Sequence, residues 1–184
     1  SLIYEKQNNK EAAMKEYEKL LESSRYKDYA CVNIASKLFA EKNYKKAREY
    51  YNQVNNMENS IYKDLVLFQI ATIDEIEKKN EEALRGYTKG YVMYNGKYSQ
   101  VSKLKAAQLN EKIGKEKDAE VLYKELYELD KKLIYKEFVL EKMIYFALKA
   151  ENKVDGKKYY LELKAINAKK AEKYTDFFKE EENK

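Results

Sequence analysis

The 184-residue chain is long enough to bury a substantial core, and its 37 basic residues outnumber its 32 acidic residues, for a net charge of +5. The absence of proline and the presence of only five glycines argue against a loop-rich β fold, which needs turn residues every few positions. The lack of histidine and the single cysteine, Cys31, exclude an intrachain disulfide and a multi-cysteine metal site, and Cys31 is typical of a small buried side chain.

Apolar residues recur at helical spacing along most of the chain, which predicts long helices with short polar connections. In chain order, helices are predicted at about 10–22, 28–41, 44–56, 61–78, 81–92, 99–113, 115–129, 134–150 and 155–166. The helices at 28–41, 61–78, 99–113 and 134–150 are the first helices of pairs, and the others are second helices.

Polar residues mark two of the predicted helix starts. Asn80 precedes Glu81 and Glu82, which predicts a side-chain N-cap followed by acidic residues placed favourably for the helix dipole. Ser99 is predicted to cap the next first helix. The stretch YNGKYS (94–99), which ends at this serine, is the clearest turn signal in the chain.

The last segment continues a helical pattern beyond residue 166. Its apolar positions follow a three-to-four spacing at Ala168, Ala171, Tyr174 and Phe177, and the chain then ends in KEEENK. We interpret this segment as a terminal capping helix that covers the last helix pair. The alternative is one long final helix from 155 to 181.

Alanine and tyrosine recur together at a regular interval. Four Ala-x-x-x-Tyr pairs lie 34, 36 and 36 residues apart, at Ala13/Tyr17, Ala47/Tyr51, Ala83/Tyr87 and Ala119/Tyr123. Gly156 with Tyr160 continues the series 37 residues later. A second small residue lies twelve positions before each alanine, at Ser1, Ala35, Ala71 and Ala107, whereas Ile144 stands before Gly156. Small residues at both points let two consecutive helices approach closely, and the tyrosine fills the space beside them.

The stretch CVNIASKLFAEKNYKKAREYYNQV (31–54) carries this pattern most completely, with Ile34, Ala35, Leu38, Tyr44, Ala47 and Tyr51. It resembles the tetratricopeptide repeat, a helix–turn–helix unit of about 34 residues with small residues at these two points and an aromatic residue after the second. The family's closing proline is missing from every unit. Polar turn residues replace it around Arg25, Asn59, Asn95 and Lys131.

The resemblance implies an all-α fold, a right-handed α-solenoid of antiparallel helix pairs (a TPR-like superhelix) with a C-terminal capping helix. Repeats are predicted over residues 1–166, with boundaries at about 1–24 (partial), 25–59, 60–95, 96–131 and 132–166. Residues 167–184 are predicted to form the capping helix and a charged tail. The stretch SLIYEKQ (1–7) matches only the second half of a first helix. We therefore expect the C-terminal part of a longer bacterial protein, able to self-associate through its uncovered N-terminal end.

The sequence predicts neither an enzyme nor a metal or cofactor site. It has no histidine and no glycine-rich phosphate loop, and its one cysteine is expected to be buried. The acidic stretch DEIEKKNEE (74–82) has helical spacing rather than the alternating ligands of a calcium loop, so we interpret it as a solvated helix end followed by an N-cap. No segment approaches the roughly 18 consecutive apolar residues that a membrane span requires.

Nucleic-acid binding is disfavoured although the chain is basic. Lysine alternates with glutamate as on exposed helical faces, and only Arg25, Arg48 and Arg85 are arginine. The repeating tyrosines are accounted for by packing between helices rather than by stacking on bases.

In the tetratricopeptide family the first helices line a concave groove that binds extended peptides. The resemblance implies that this groove is lined here by a set of residues that we call the first-helix face: Tyr29, Val32, Ser36, Phe39, Leu65, Phe68, Thr72, Glu75, Val101, Leu104, Gln108, Phe138 and Tyr145. Family members that clamp a terminal carboxylate use lysine and asparagine there, so the apolar residues of this chain disfavour a receptor for chaperone tails. A contiguous apolar stripe is typical of an interface. The alternative is that the first helices are rotated and the stripe is core.

The resemblance favours a non-catalytic protein-interaction scaffold that binds a peptide or protein partner in this groove. Its general likeness is to bacterial cell-envelope and assembly proteins with repeats of about 36 residues. The second hypothesis is a regulatory or peptide-sensing module of a larger protein, whose effector domain would precede Ser1. The third hypothesis is a basic helical repeat that binds nucleic acid.

Overall fold

The computed structural model describes residues 10–129 and 135–178, and every regular element in those ranges is helical. The long helices are α1 (Lys10–Leu20), α2 (Lys27–Ala40), α3 (Tyr44–Asn55), α4 (Lys63–Ile76), α5 (Asn80–Met93), α6 (Lys97–Lys112), α7 (Glu116–Leu129), α8 (Lys136–Lys149) and α9 (Lys153–Ile166). Three short pieces follow: α10 (Ala168–Ala171), a 3₁₀ turn (Glu172–Tyr174) and α11 (Thr175–Phe178). The predicted helices are confirmed, and each described end lies within two residues of its prediction.

The prediction that Asn80 and Ser99 cap their helices is wrong. Helix α5 begins at Asn80 itself, after an N-cap at Lys79 that makes no side-chain hydrogen bond, and the buried Oδ1 atom of Asn80 has no partner among the described residues. Helix α6 begins at Lys97, so Ser99 lies inside its first turn. The side-chain caps are asparagines elsewhere: Asn43, Asn152 and Asn167 accept from the amides of Lys46, Asp155 and Lys170.

The chain divides into two compact units, Ser1–Lys103 and Leu104–Lys184, and the boundary falls within α6. In the first unit, α2 packs most extensively against α3 and α4 against α5, while α1 contacts α2 and α3 contacts α4. In the second unit, α8 packs against α9, α7 contacts α8, and α9 contacts α10. Short turns make the helices of each pair antiparallel. The exact repeat boundaries remain a prediction.

The core of the first unit is built on the repeating small-and-aromatic pattern. Tyr17, Tyr51 and Tyr87 are fully buried, as are the alanines that precede them by four residues and the alanines at 35 and 71. Helices α4 and α5 approach so closely that a Cβ atom added to Gly86 would lie 2.8 Å from the Cβ of Ala71. The packing role predicted for these side chains is therefore confirmed, because small residues allow the contact and the rings fill the adjacent space.

The second unit repeats this arrangement. Ala107, Ala119 and Tyr123 are fully buried, Tyr160 is 6% exposed, and the exceptional Ile144 is also buried completely. Here an added Cβ on Gly156 would lie 3.0 Å from the ring of Phe178 and 3.5 Å from the Cβ of Ala147. A glycine at this position therefore lets the terminal segment approach α9 closely, whereas the distance to Ala147 of α8 would be an ordinary van der Waals contact.

The terminal segment is separate from α9, so the alternative of one long helix from 155 to 181 is wrong. The backbone of Asn167 leaves the helical region, at φ −150° and ψ 88°, and its side chain caps the next turn. The ring of Phe178 stacks on Tyr160 with a centroid distance of 5.2 Å, and the Tyr160 hydroxyl lies 3.4 Å from Thr175 Oγ1. The segment therefore covers α9, as a cap would, in several short pieces. The predicted charged tail, KEEENK, lies outside the described residues.

The turns inside the helix pairs share one backbone geometry. Lys42, Lys78, Gly114 and Glu151 have φ angles of 62°, 61°, 80° and 56°, in the left-handed region. The residue after each one donates its amide to a carbonyl five residues earlier, as Asn43 does to Leu38 at 2.8 Å. This is the Schellman arrangement, which satisfies the last carbonyls of a helix.

Gly114→Ala should lower the free energy of unfolding by about 1 kcal/mol, because alanine is strained at positive φ. The effect is purely conformational, since an added Cβ would have no atom within 4 Å. The reciprocal change, Lys78→Gly, should raise stability by a few tenths of a kcal/mol to about 1 kcal/mol. Urea unfolding midpoints measure both. An unchanged or higher midpoint for Gly114→Ala would contradict the left-handed turn.

Candidate partner-binding surface

In the first unit, Tyr51 and Tyr87 are anchored to the first helices through their hydroxyl groups. The Tyr87 hydroxyl donates to Glu75 Oε2 at 2.7 Å and to Thr72 Oγ1 at 3.3 Å. The Tyr51 hydroxyl lies 3.3 Å from Ser36 Oγ. Burial raises the pKa of the Tyr87 phenol well above its ordinary value, and the Glu75 carboxylate acts in the same direction. The phenol therefore stays neutral and keeps donating, which holds the first helix in register with the second.

In the second unit, a charged network surrounds the corresponding ring. The Tyr123 hydroxyl donates to Glu111 Oε2 at 2.5 Å, and Lys142 Nζ donates to Glu111 Oε1 at 2.7 Å. The Lys142 ammonium also lies 5.9 Å from the ring centroid of Tyr123 and 5.6 Å from that of Phe138. Burial, with the adjacent Glu111 carboxylate, raises the pKa of Tyr123. This network fixes the positions of α6, α7 and α8 within the second unit.

The side chains of the first-helix face range from buried through half-buried to exposed. Val32 and Leu104 are buried, at 7% and 6% exposure, and contribute to the cores of their units. In the first unit, Tyr29 packs edge-on against Tyr17 at 5.8 Å, and Phe39 packs against Tyr44 at 5.4 Å. The half-buried members are Tyr29, Phe39, Leu65, Phe68, Thr72, Glu75, Val101, Gln108 and Phe138, while Ser36 and Tyr145 are exposed.

Phe68 packs against two other aromatic rings. Its ring centroid lies 5.9 Å from that of Tyr87 and 5.6 Å from that of Tyr98, and the side chain remains partly exposed. Leu65, one turn earlier on α4, packs against the core cluster that contains Val32. In the second unit, Phe138 lies 6.1 Å from Tyr123, and Tyr145 is 44% exposed. Each unit thus presents aromatic side chains of its first helices that are both supported and accessible.

The acidic stretch at the end of α4 also contributes to packing. Arg48 of α3 donates to Asp74 Oδ1 at 2.7 Å and to Glu77 Oε2 at 3.2 Å. Asp74 is only 8% exposed, so it is a buried ion-pair partner rather than part of a solvated helix end. Within the described ranges, no cluster of three or more residues could hold a metal ion. In the same ranges, no helix has the length and apolarity needed to cross a bilayer.

A pocket of about 660 Å³ lies between the starts of α2 and α4, in the first unit, and sequence analysis missed it. This α2–α4 pocket is lined by Leu20, Arg25, Tyr26, Asp28, Tyr29, Ile61 and Tyr62. Asp28 Oδ2 accepts from Ser60 Oγ at 2.9 Å, and the Tyr62 amide donates to Ser60 Oγ at 3.2 Å, which joins the two helix starts. The signal in the sequence is a second repeat, RYKD (25–28) and IYKD (61–64), again 36 residues apart.

No family model and no curated protein matches the sequence. Solved structures do match. A structure of PilF from Pseudomonas aeruginosa has 17% sequence identity and a TM-score of 0.71, over 96% of this chain and 78% of its own. A crystal structure of MamA has 9% identity and a TM-score of 0.67, over 94% of this chain and 95% of its own. Both neighbours are tetratricopeptide-repeat solenoids.

The chain has the tetratricopeptide-repeat fold. At these identities the likeness concerns the fold, and it agrees with the paired helices and the buried small-and-aromatic pattern of both units. Tetratricopeptide-repeat proteins are in general non-enzymatic scaffolds for protein interaction.

Proposed function

We propose that this tetratricopeptide-repeat chain is a non-catalytic scaffold that binds a peptide or protein partner along its first-helix face. The observation that carries the proposal is the position of Phe68, which is partly exposed yet held between the rings of Tyr87 and Tyr98. A ring that is already immobilised loses little conformational entropy on binding and offers a large apolar area.

The hydrogen bonds behind this face support the same proposal. Glu75 and Thr72 receive the Tyr87 hydroxyl on the helix that carries Phe68, so the core of the first unit fixes the orientation of α4. In the second unit, the Glu111–Lys142 pair does the same beside Phe138. Within each unit, the part of the first-helix face that it carries is consequently held in place by the core, and rigid surfaces bind with a smaller ordering cost than mobile loops.

The test is peptide binding by the full chain. Peptides are selected from a random display library on immobilised protein, and their dissociation constants are measured for the unaltered chain, for Phe68→Ser and for Val121→Ser. Val121 is the matched control, because it is 56% exposed but lies on a second helix, α7. Phe68→Ser should weaken binding of most selected peptides by about tenfold or more, as expected for an aromatic anchor.

Circular dichroism melting must show that Phe68→Ser is still folded at the temperature of the binding assay. Tyr145→Ser provides a second test in the other unit, at an exposed residue whose loss should not affect folding. Equal dissociation constants for the unaltered chain, Phe68→Ser and Tyr145→Ser would reject the first-helix face as the binding surface. Loss of binding in Val121→Ser would place the surface elsewhere.

A further inference from the structure

The α2–α4 pocket has apolar walls that extend to the protein surface. Ile61 is 81% exposed and Tyr26 is 46% exposed, and both line the pocket together with Leu20, Tyr29 and Tyr62. Such side chains gain free energy when an apolar group covers them, and the space is large enough for a sizeable side chain. The pocket lies at the starts of α2 and α4, whereas Phe68 lies further along α4.

Arg25 provides the positive charge at the rim of this pocket. The other two arginines form ion pairs: Arg48 lies 2.7 Å from Asp74, and Arg85 lies 3.2 Å from Glu82. Within the described residues Arg25 pairs with no carboxylate. Its guanidinium lies over the ring of Tyr26, with 5.4 Å between Cζ and the ring centroid. A guanidinium held on an aromatic face is well placed to bind a carboxylate in two-point geometry.

Asp28 is the opposing charge, and its oxygens have other partners. Oδ2 accepts from Ser60 Oγ at 2.9 Å, and Oδ1 accepts from the Tyr29 amide at 2.7 Å. The contact with Ser60 joins the starts of α2 and α4, and the contact with the Tyr29 amide holds the carboxylate against the backbone of α2. The positive end of the α2 dipole lies at the same place and offsets part of the Asp28 charge. The group left to attract a charged ligand at this rim is therefore Arg25.

We propose that the α2–α4 pocket binds a partner segment in which a large apolar side chain neighbours a carboxylate side chain. The apolar side chain enters between Tyr26, Tyr62 and Ile61, and the carboxylate pairs with Arg25. This inference deepens the proposed function, on which it rests, by naming the chemistry of one contact with the partner. The pocket inference is tested at Arg25 and Ile61, which lie outside the first-helix face. Its failure can therefore be distinguished from the failure of the proposed function.

The experiment uses the full chain and fluorescein-labelled, C-terminally amidated nonapeptides with a central leucine or phenylalanine beside a glutamate. Matched peptides carry glutamine or lysine in place of the glutamate, and amidation leaves the side chain as the only carboxylate. Fluorescence anisotropy at low salt should give about three- to fivefold tighter binding for the glutamate peptide than for the glutamine peptide, as expected for an exposed ion pair. The difference should shrink in 0.5 M salt, because exposed charges are then screened.

The variants separate the charge from the apolar wall. Arg25→Gln should remove the preference for glutamate, Arg25→Glu should reverse it in favour of lysine, and Ile61→Ser should weaken all three peptides. Arg85→Gln is the matched control, because Arg85 is an exposed arginine already paired with Glu82, and it should change nothing. Neither Arg25 nor Ile61 is buried, so these variants should fold.

Three outcomes would overturn the proposal. One is equal binding of the glutamate, glutamine and lysine peptides by the unaltered chain, and another is tighter binding of the lysine peptide, which would make Asp28 the dominant charge. The third is the absence of measurable binding by any peptide at millimolar concentration. If Phe68→Ser abolishes the binding of library-selected peptides while these nonapeptides fail to bind, the proposed function survives and the pocket inference does not.

Discussion

Replacement of Tyr87 by alanine is expected to lower the free energy of unfolding by about 3–5 kcal/mol, as for other buried aromatic side chains. The ring is fully buried in the first unit and contacts Phe68, and its hydroxyl donates to Glu75 and Thr72. Truncation would leave a cavity between α4 and α5 and remove both hydrogen bonds. A urea titration followed by circular dichroism measures the loss as a shift of the unfolding midpoint.

Two further variants show which part of Tyr87 matters. Tyr87→Phe keeps the ring and removes the hydroxyl, and should cost about 1 kcal/mol because the hydrogen bonds to Glu75 and Thr72 are lost. Tyr145→Ala should cost less than about 1 kcal/mol, since that ring is 44% exposed and little of it is removed from water. If Tyr87→Ala leaves the midpoint unchanged, the ring does not pack between the helices.

Replacement of Ala71 by leucine is expected to destabilise the first unit by about 3 kcal/mol, near the upper end of overpacking effects. Ala71 is fully buried, and its Cβ would lie 2.8 Å from a Cβ added at Gly86. The space between α4 and α5 cannot accept a larger side chain unless the helices separate. Separation would disturb the hydrogen bonds between Tyr87 and α4 as well as the direct contact.

The control for Ala71→Leu is Ala165→Leu, the same change at an exposed position of α9. Alanine and leucine have similar helix propensities, so the control should alter stability by no more than about 0.5 kcal/mol. Equal midpoints for the two variants would mean that the small residues of the pattern are not required for close approach. That result would contradict the physical basis of the repeat.

The helices and their pairing could be predicted because the same pattern of small and aromatic residues recurs in each repeat. Ala47 with Tyr51 is ambiguous alone, whereas its recurrence at 83 and 119 identifies a position that must be small and one that must be large. The caps were less predictable. Asn80 and Asn43 both precede a run of helical residues, and only the second acts as a side-chain cap, since α5 begins one residue earlier than expected.

The sequence pattern placed residues on the first-helix face but did not determine what their side chains contact. Ser36, Thr72 and Glu75 were predicted to line a groove, and the structure gives each of them a hydrogen bond to a buried tyrosine. A side chain at the rim of a core can form hydrogen bonds with the core and still contact a partner. Partner binding along the face therefore remains a prediction, which the Phe68 experiment tests.

The α2–α4 pocket could not be found from helix periodicity, because its residues lie at helix starts and in turns. The repeated tyrosine of RYKD and IYKD was visible in the sequence, but its meaning depends on two turns that are more than thirty residues apart along the chain. Only folding brings Tyr26 and Tyr62 to the same pocket, where Asp28 and Ser60 join the two helix starts.

The sequence by itself determined the all-helical class, the helix limits and the burial of the five repeating rings, because hydrophobic spacing and side-chain size act locally and recur in every unit. Tertiary structure alone decided which side chains receive the tyrosine hydroxyls, where the chain breaks at Asn167, and which exposed groups meet at the α2–α4 pocket. Those features depend on contacts between residues distant in sequence, and helix periodicity does not state which residues will meet until the helices have packed.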